Sequence, residues 1–114
     1  MVKAAVLYEV GSPLVVEDVE LDDPQAGEVL VKVGAAGICR SDRHFMHGDA
    51  PIALPVVLGH EGAGTVEAVG PGVTSVKPGD PVFLSFVPSC GRCKSCITGN
   101  SHLCDNHAAT GPNM

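Results

Sequence analysis

Residues 59–86 read GHEGAGTVEAVGPGVTSVKPGDPVFLSF, two strand-forming runs separated by turn residues. Residues 64–69 (GTVEAV) and 81–86 (PVFLSF) carry the β-branched and aromatic side chains that suit a pleated, half-buried surface. Between them, Gly70-Pro71-Gly72 and Lys77-Pro78-Gly79-Asp80 are turn signals, because Pro presets φ and Gly admits positive φ. The same texture runs upstream. Residues 3–8 (KAAVLY) and 14–19 (LVVEDV) read as short strands joined at Gly11-Ser12-Pro13, and the polar stretch 21–28 leads into a strand at 29–33 (VLVKV). In that strand Leu30 and Lys32 lie on the face opposite Val29, Val31 and Val33. Only residues 41–47 look helical, with Ser41 as N-cap and Gly48 as the stop. Many short strands with Gly/Pro turns predict a mainly β fold, a barrel or a sandwich.

A chain of 114 residues is one domain, long enough to bury roughly two-thirds of its unfolded surface. Hydrophobic content of 45% against 18% charge is globular. With no Trp and 4% aromatics, the core must be built from Val, Ala, Leu and Ile. The net charge of −6, with seven basic residues scattered along the chain, leaves no nucleic-acid footprint. No apolar run approaches a membrane span, and MVKAAVLYEVGSPL has no long apolar segment of a secretory signal. The expectation is a cytoplasmic protein with neither nucleic-acid nor membrane partners.

Cys90, Cys93, Cys96 and Cys104 are spaced Cys-x-x-Cys-x-x-Cys-x7-Cys, and two-residue gaps let successive sulfurs turn toward one centre. Two disulfides are an alternative, disfavoured without an oxidising compartment. An iron–sulfur cluster is another, but its usual third gap is shorter and its fourth Cys precedes Pro, whereas Asp105 follows here. A closed, tetrahedral zinc site fits the spacing best. The fifth cysteine, Cys39, opens Cys39-Arg40-Ser41-Asp42, and His60 lies in the Gly-bounded turn Gly59-His60-Glu61-Gly62. A thiolate and an imidazole from two loops can supply two of the three protein ligands of an open zinc site. Taken alone, each is more often an unremarkable small or satisfied side chain.

Gly59-His60-Glu61-x-x-Gly64-x5-Gly70, with Gly37-x-Cys39-x-Ser41-Asp42 and the four-cysteine segment, resembles the zinc-dependent medium-chain alcohol dehydrogenases. The likeness runs from Lys3 to Asp105 with every motif in the family's order. It implies a GroES-like, partly open β-barrel with a short helix and a protruding four-cysteine zinc lobe at about residues 88–106. It implies two zinc ions: a catalytic one on Cys39 and His60, and a structural one on Cys90, Cys93, Cys96 and Cys104. By the same resemblance Glu61 is the acidic residue behind the metal, and Asp42 orients the ligand His60. Ser41 bonds the substrate alcohol, His44 ends the proton relay and Arg40 contacts the dinucleotide pyrophosphate. His47, His102 and His107 match no role and are expected at the surface. The implied reaction interconverts alcohols with aldehydes or ketones by zinc-assisted hydride transfer with NAD(P), in a full-length form that is a homo-oligomer. Residues 85–93 and 99–105 resemble bacterial members near the class III, formaldehyde-linked branch.

The chain departs from the family pattern in two ways. No Gly-x-Gly-x-x-Gly occurs, so a dinucleotide-binding domain is not expected in this chain. The family's third catalytic ligand, a later Cys, has no counterpart, since Cys104 belongs to the lobe. Residues 1–114 therefore read as an incomplete catalytic domain, the N-terminal part of a longer dehydrogenase, inactive alone. A free-standing zinc-binding interaction module is the alternative. A chaperonin-like ring is remote, having no use for Cys39, His60 or the lobe.

Overall fold

The computed structural model describes residues 1–106, which are mainly β with few helices, as the turn-rich pattern predicts. They divide into two compact units, one running from Met1 to Leu84 and the other beginning at Ser85.

The first unit holds two open, antiparallel, three-stranded sheets. In one, β1 (Val2–Leu7) pairs with β2 (Val15–Val19) on one side and β4 (Val56–Val57) on the other. In the other, β5 (Gly62–Val69) lies between β3 (Val29–Ala36) and β6 (Pro81–Phe83). The middle strand of each sheet supplies the core: Val6 and Leu7 from β1 and Val66 from β5 are buried. Aliphatic side chains such as these gain the most from being taken out of water.

The strand β3 runs on to Ala36, three residues beyond the expected end, through Gly34-Ala35-Ala36. Its register against β5 slips twice, between Leu30 and Val31 and between Val33 and Ala35. A slip leaves a residue unpaired and bends the strand, which hides its alternation from a sequence reading. At Gly64 the two strands come so close that a side chain would overlap the Lys32 carbonyl. The strand expected at 81–86 is shorter: Pro81, Val82 and Phe83 pair with β5, and after a last bond from the Leu84 N–H to the Gly62 carbonyl, where β5 begins, the pairing stops. The two-residue β4, directly after Pro55, was not expected.

The helix α1 (Arg40–His47) begins one residue early, and its N-cap is Cys39, not Ser41. Asp42 explains the difference. Its Oδ2 reaches back to accept the Cys39 backbone N–H at 3.0 Å, which starts the helix at Arg40 and places Ser41 inside the first turn. The stop at Gly48 is as expected: with φ 80° it closes the helix in the left-handed conformation.

The second unit carries α2 (Lys94–Ile97) and a 3₁₀ turn at Ser101–Leu103, neither expected from sequence. The helix starts directly after Cys93, which is its N-cap. Cys104 is buried, and the Ser95 hydroxyl donates to Asp105 at 2.9 Å, tying the two ends of the segment.

Candidate functional site

Cys39 and His60 arrive on separate loops that the backbone ties together. Cys39 ends the loop after β3, and Gly37 in that loop donates its N–H to the Glu61 carbonyl at 2.9 Å. His60 follows Gly59, whose φ of 126° only glycine adopts readily, and leads directly into β5. The Glu61 side chain lies against Gly37, where a Cβ would overlap its carboxylate. One residue without a side chain thus holds the Glu61 backbone and makes room for its carboxylate.

Asp42 joins the two loops a second time. Its Oδ2 accepts the Cys39 N–H, while its Oδ1 lies 3.6 Å from His60 Nδ1. Both side chains are largely buried, 13% exposed for Asp42 and 23% for His60. The carboxylate therefore faces one nitrogen of the ring and leaves Nε2 on the opposite side.

The result is a cluster. The Cys39 sulfur, a His60 ring nitrogen and a Glu61 carboxylate oxygen all lie within 4.8 Å of one another. Sulfur, imidazole nitrogen and carboxylate oxygen are the three donor types zinc accepts in open sites, so the donor set fits that ion. Sequence reasoning placed Glu61 behind the metal; the structure brings it into the same cluster as Cys39 and His60.

The remaining site residues surround the first turn of α1. Ser41 Oγ is buried and has no hydrogen-bond partner among the described residues. His44 is exposed and its Nδ1 lies 2.9 Å from Asp49 Oδ2. Ser41 and His44 do not bond to each other, so no direct relay joins them. Arg40, the first residue of the helix, is exposed and forms no ion pair among the described residues. His47 and His102 are exposed as expected, and His107 lies outside the described residues.

In the second unit the four sulfurs of Cys90, Cys93, Cys96 and Cys104 also lie within 4.8 Å of one another, and all are free thiols. Backbone N–H groups converge on them: Cys93 donates to Cys90 Sγ at 3.3 Å, and Cys90 and Asn106 each donate to Cys104 Sγ at 3.4 Å. Donors aimed at sulfur favour the thiolate, the form that binds metal. Cys90 accordingly has its pKa lowered to about 6, chiefly by the Asn106 side-chain N–H and then by the backbone of Arg92 and Cys93. Cys96 goes the other way, pushed up to about 12 by burial and by its neighbour Cys93. Four soft sulfur donors with N–H support fit a closed zinc site. Asn106 was missed by sequence reasoning, and its place two residues past Cys104 was the only available signal.

Fold and clusters together define a mainly β domain with two groups of metal-ligating side chains. Residues 25–112 match the family described as the alcohol dehydrogenase GroES-like domain. An NDMA-dependent alcohol dehydrogenase of Amycolatopsis methanolica is 57% identical over 103 residues, covering 90% of this chain and 28% of the relative. Among solved structures, an alcohol dehydrogenase zinc-binding domain protein from Burkholderia ambifaria superposes with a TM-score of 0.83 at 43% identity, over 94% of this chain and 29% of that one. A benzyl alcohol dehydrogenase from Acinetobacter calcoaceticus gives 0.80 at 42% identity, over 93% and 29%. The chain belongs to the zinc-dependent medium-chain alcohol dehydrogenase family, matching its GroES-like domain over residues 25–112. It spans somewhat more than a quarter of the length of the relatives it matches. Among the described residues no helix is long and apolar enough to cross a membrane.

Proposed function

We propose that this chain is the metal-holding catalytic part of an enzyme that interconverts alcohols with aldehydes or ketones by hydride transfer with NAD(P). One observation carries the reading: Cys39, His60 and Glu61, from two loops, bring a sulfur, a nitrogen and a carboxylate oxygen within 4.8 Å. Those three residues would hold a zinc ion, with His60 presenting Nε2. Zinc bound there supplies Lewis-acid polarisation of an alcohol or carbonyl oxygen.

The chain's own residues then have separate tasks. Asp42 fixes the His60 ring with Nδ1–H toward its carboxylate and steadies Cys39 through the backbone. Ser41 offers a buried hydroxyl that no group among the described residues satisfies, a state costing about 1–3 kcal/mol until a ligand's oxygen bonds to it. That hydroxyl accepts the substrate's proton and passes it outward. His44, three residues on in α1, is the outer acceptor, and because it makes no bond to Ser41 a bound hydroxyl-bearing ligand would have to bridge the interval. Arg40, exposed at the start of α1, suits the pyrophosphate of the dinucleotide. Cys90, Cys93, Cys96 and Cys104 would close a second zinc on all sides, leaving no position for substrate, so that centre is structural. The nicotinamide-binding domain lies outside these 114 residues, and the full-length enzyme is a cytoplasmic homo-oligomer.

The test is alcohol oxidation by the full-length enzyme, followed through nicotinamide absorbance with zinc present. His60→Ala should abolish turnover, and Ser41→Ala should lower kcat by roughly 10²-fold, the scale of a lost proton-transfer group. Full activity in His60→Ala would contradict the reading.

A further inference from the structure

We propose that Asp49 is a positioning residue for His44, locking its ring in the tautomer whose Nε2 accepts a proton. The proposal rests on His44 being the outer proton acceptor. Asp49 touches His44 twice: its backbone N–H donates to the His44 carbonyl at 2.9 Å, and its Oδ2 lies 2.9 Å from His44 Nδ1. The five-residue span is bridged by Gly48, whose left-handed φ turns the chain back over the last turn of α1.

This turn is fixed from the other side as well. Gly11 donates its N–H to the Met46 carbonyl at 2.7 Å, and a side chain at Gly48 would meet Val10 at 2.8 Å. The carboxylate is therefore placed by backbone that other residues hold, although the pair itself is solvent-exposed.

The chemistry follows from the partners. An ionised carboxylate only accepts hydrogen bonds, so a ring nitrogen bonded to it must carry the hydrogen. With Nδ1–H committed to Asp49, the lone pair of the neutral ring resides on Nε2. Asp42, the other carboxylate of this segment, is turned to Cys39 and His60 instead. Arg40 and Arg43, also on α1, cannot substitute for it, since arginine side chains only donate.

Ring-nitrogen NMR on the zinc-supplied 114-residue chain, labelled at histidine, tests the proposal. The His44 signals are assigned by their loss in His44→Gln. The wild-type ring should show the Nδ1–H pattern, and Asp49→Ala should move it to the Nε2–H pattern or a mixture. Asp49→Asn keeps the shape of the turn and should also release the lock, because an amide both donates and accepts. An Nε2–H ring in the wild type, or an unchanged Nδ1–H ring in both variants, overturns the assignment. Failure of the underlying relay reads differently: His44→Gln would then leave kcat of the full-length enzyme unaltered while the tautomer still depends on Asp49.

Discussion

Asp42 Oδ1 faces His60 Nδ1 at 3.6 Å while its other oxygen holds the Cys39 backbone, so one carboxylate steadies both loops of the cluster. Replacing it by Ala leaves Cys39, His60 and Glu61 in the chain but removes what orients them. Zinc affinity at this centre should fall about 10–100-fold, the usual cost of losing a group that orients a ligand histidine. Competition with a chromophoric chelator measures it, and the four-cysteine centre of the same variant should hold its metal unchanged.

Two glycines should respond in opposite ways to a single methyl group. At Gly64 the methyl meets the Lys32 backbone between paired strands, so Gly64→Ala should cost about 1–3 kcal/mol in denaturant unfolding. At Gly37 the nearest atom is a carboxylate oxygen of Glu61, the far end of a side chain that can swing away. Gly37→Ala should therefore unfold near the wild-type midpoint but bind zinc more weakly at the Cys39 centre.

Thiol chemistry should separate the lobe cysteines once zinc is stripped. With Cys90 lowered to about 6 and Cys96 raised to about 12, Cys90 is thiolate at neutral pH and Cys96 is not. Timed alkylation and peptide mapping at pH 7 should find Cys90 modified first and Cys96 last. Asn106→Ala should slow Cys90, because the Asn106 side chain is the first cause of its lowered pKa. Zinc should protect all four.

Tyr8, the one tyrosine of the chain, donates its hydroxyl to Glu17, which raises its pKa above the ordinary 10.0. Phenolate absorbance should therefore rise at higher pH in the native chain than in Glu17→Gln. The sign of the linkage follows from the raised value. The stabilisation is fully present below the unfolded pKa and is lost as pH climbs through the folded one. Unfolding measured across that range should show the loss only where Glu17 is intact.

Much of this was legible from residue order. The long strands read correctly where β-branched residues cluster, as in Val15–Val19 and the first five residues of β3, because local preference and burial agree there. The four-cysteine cluster was legible because its spacing is a local, chemical pattern, whereas Cys39 and His60, on separate loops, were picked out only by the family resemblance. What escaped depended on partners distant in sequence: β4 exists only because Val56 and Val57 find Leu7 and Val6. β6 ends at Phe83 because β5 itself begins at Gly62, whose carbonyl takes one last bond from the Leu84 N–H. The N-cap went to Cys39 because Asp42 folds back, a side-chain choice that Ser41's own preference could not reveal. The same holds for Asn106 beneath Cys90 and for Asp49 over His44.

Native mass spectrometry of the zinc-loaded chain tests the central claim most directly, since it counts metal per molecule. Two zinc ions should bind the wild type, one His60→Ala and one Cys93→Ser, with neither ion remaining in the double variant. A single zinc in both the wild type and His60→Ala, lost in Cys93→Ser, would contradict a metal centre at Cys39, His60 and Glu61.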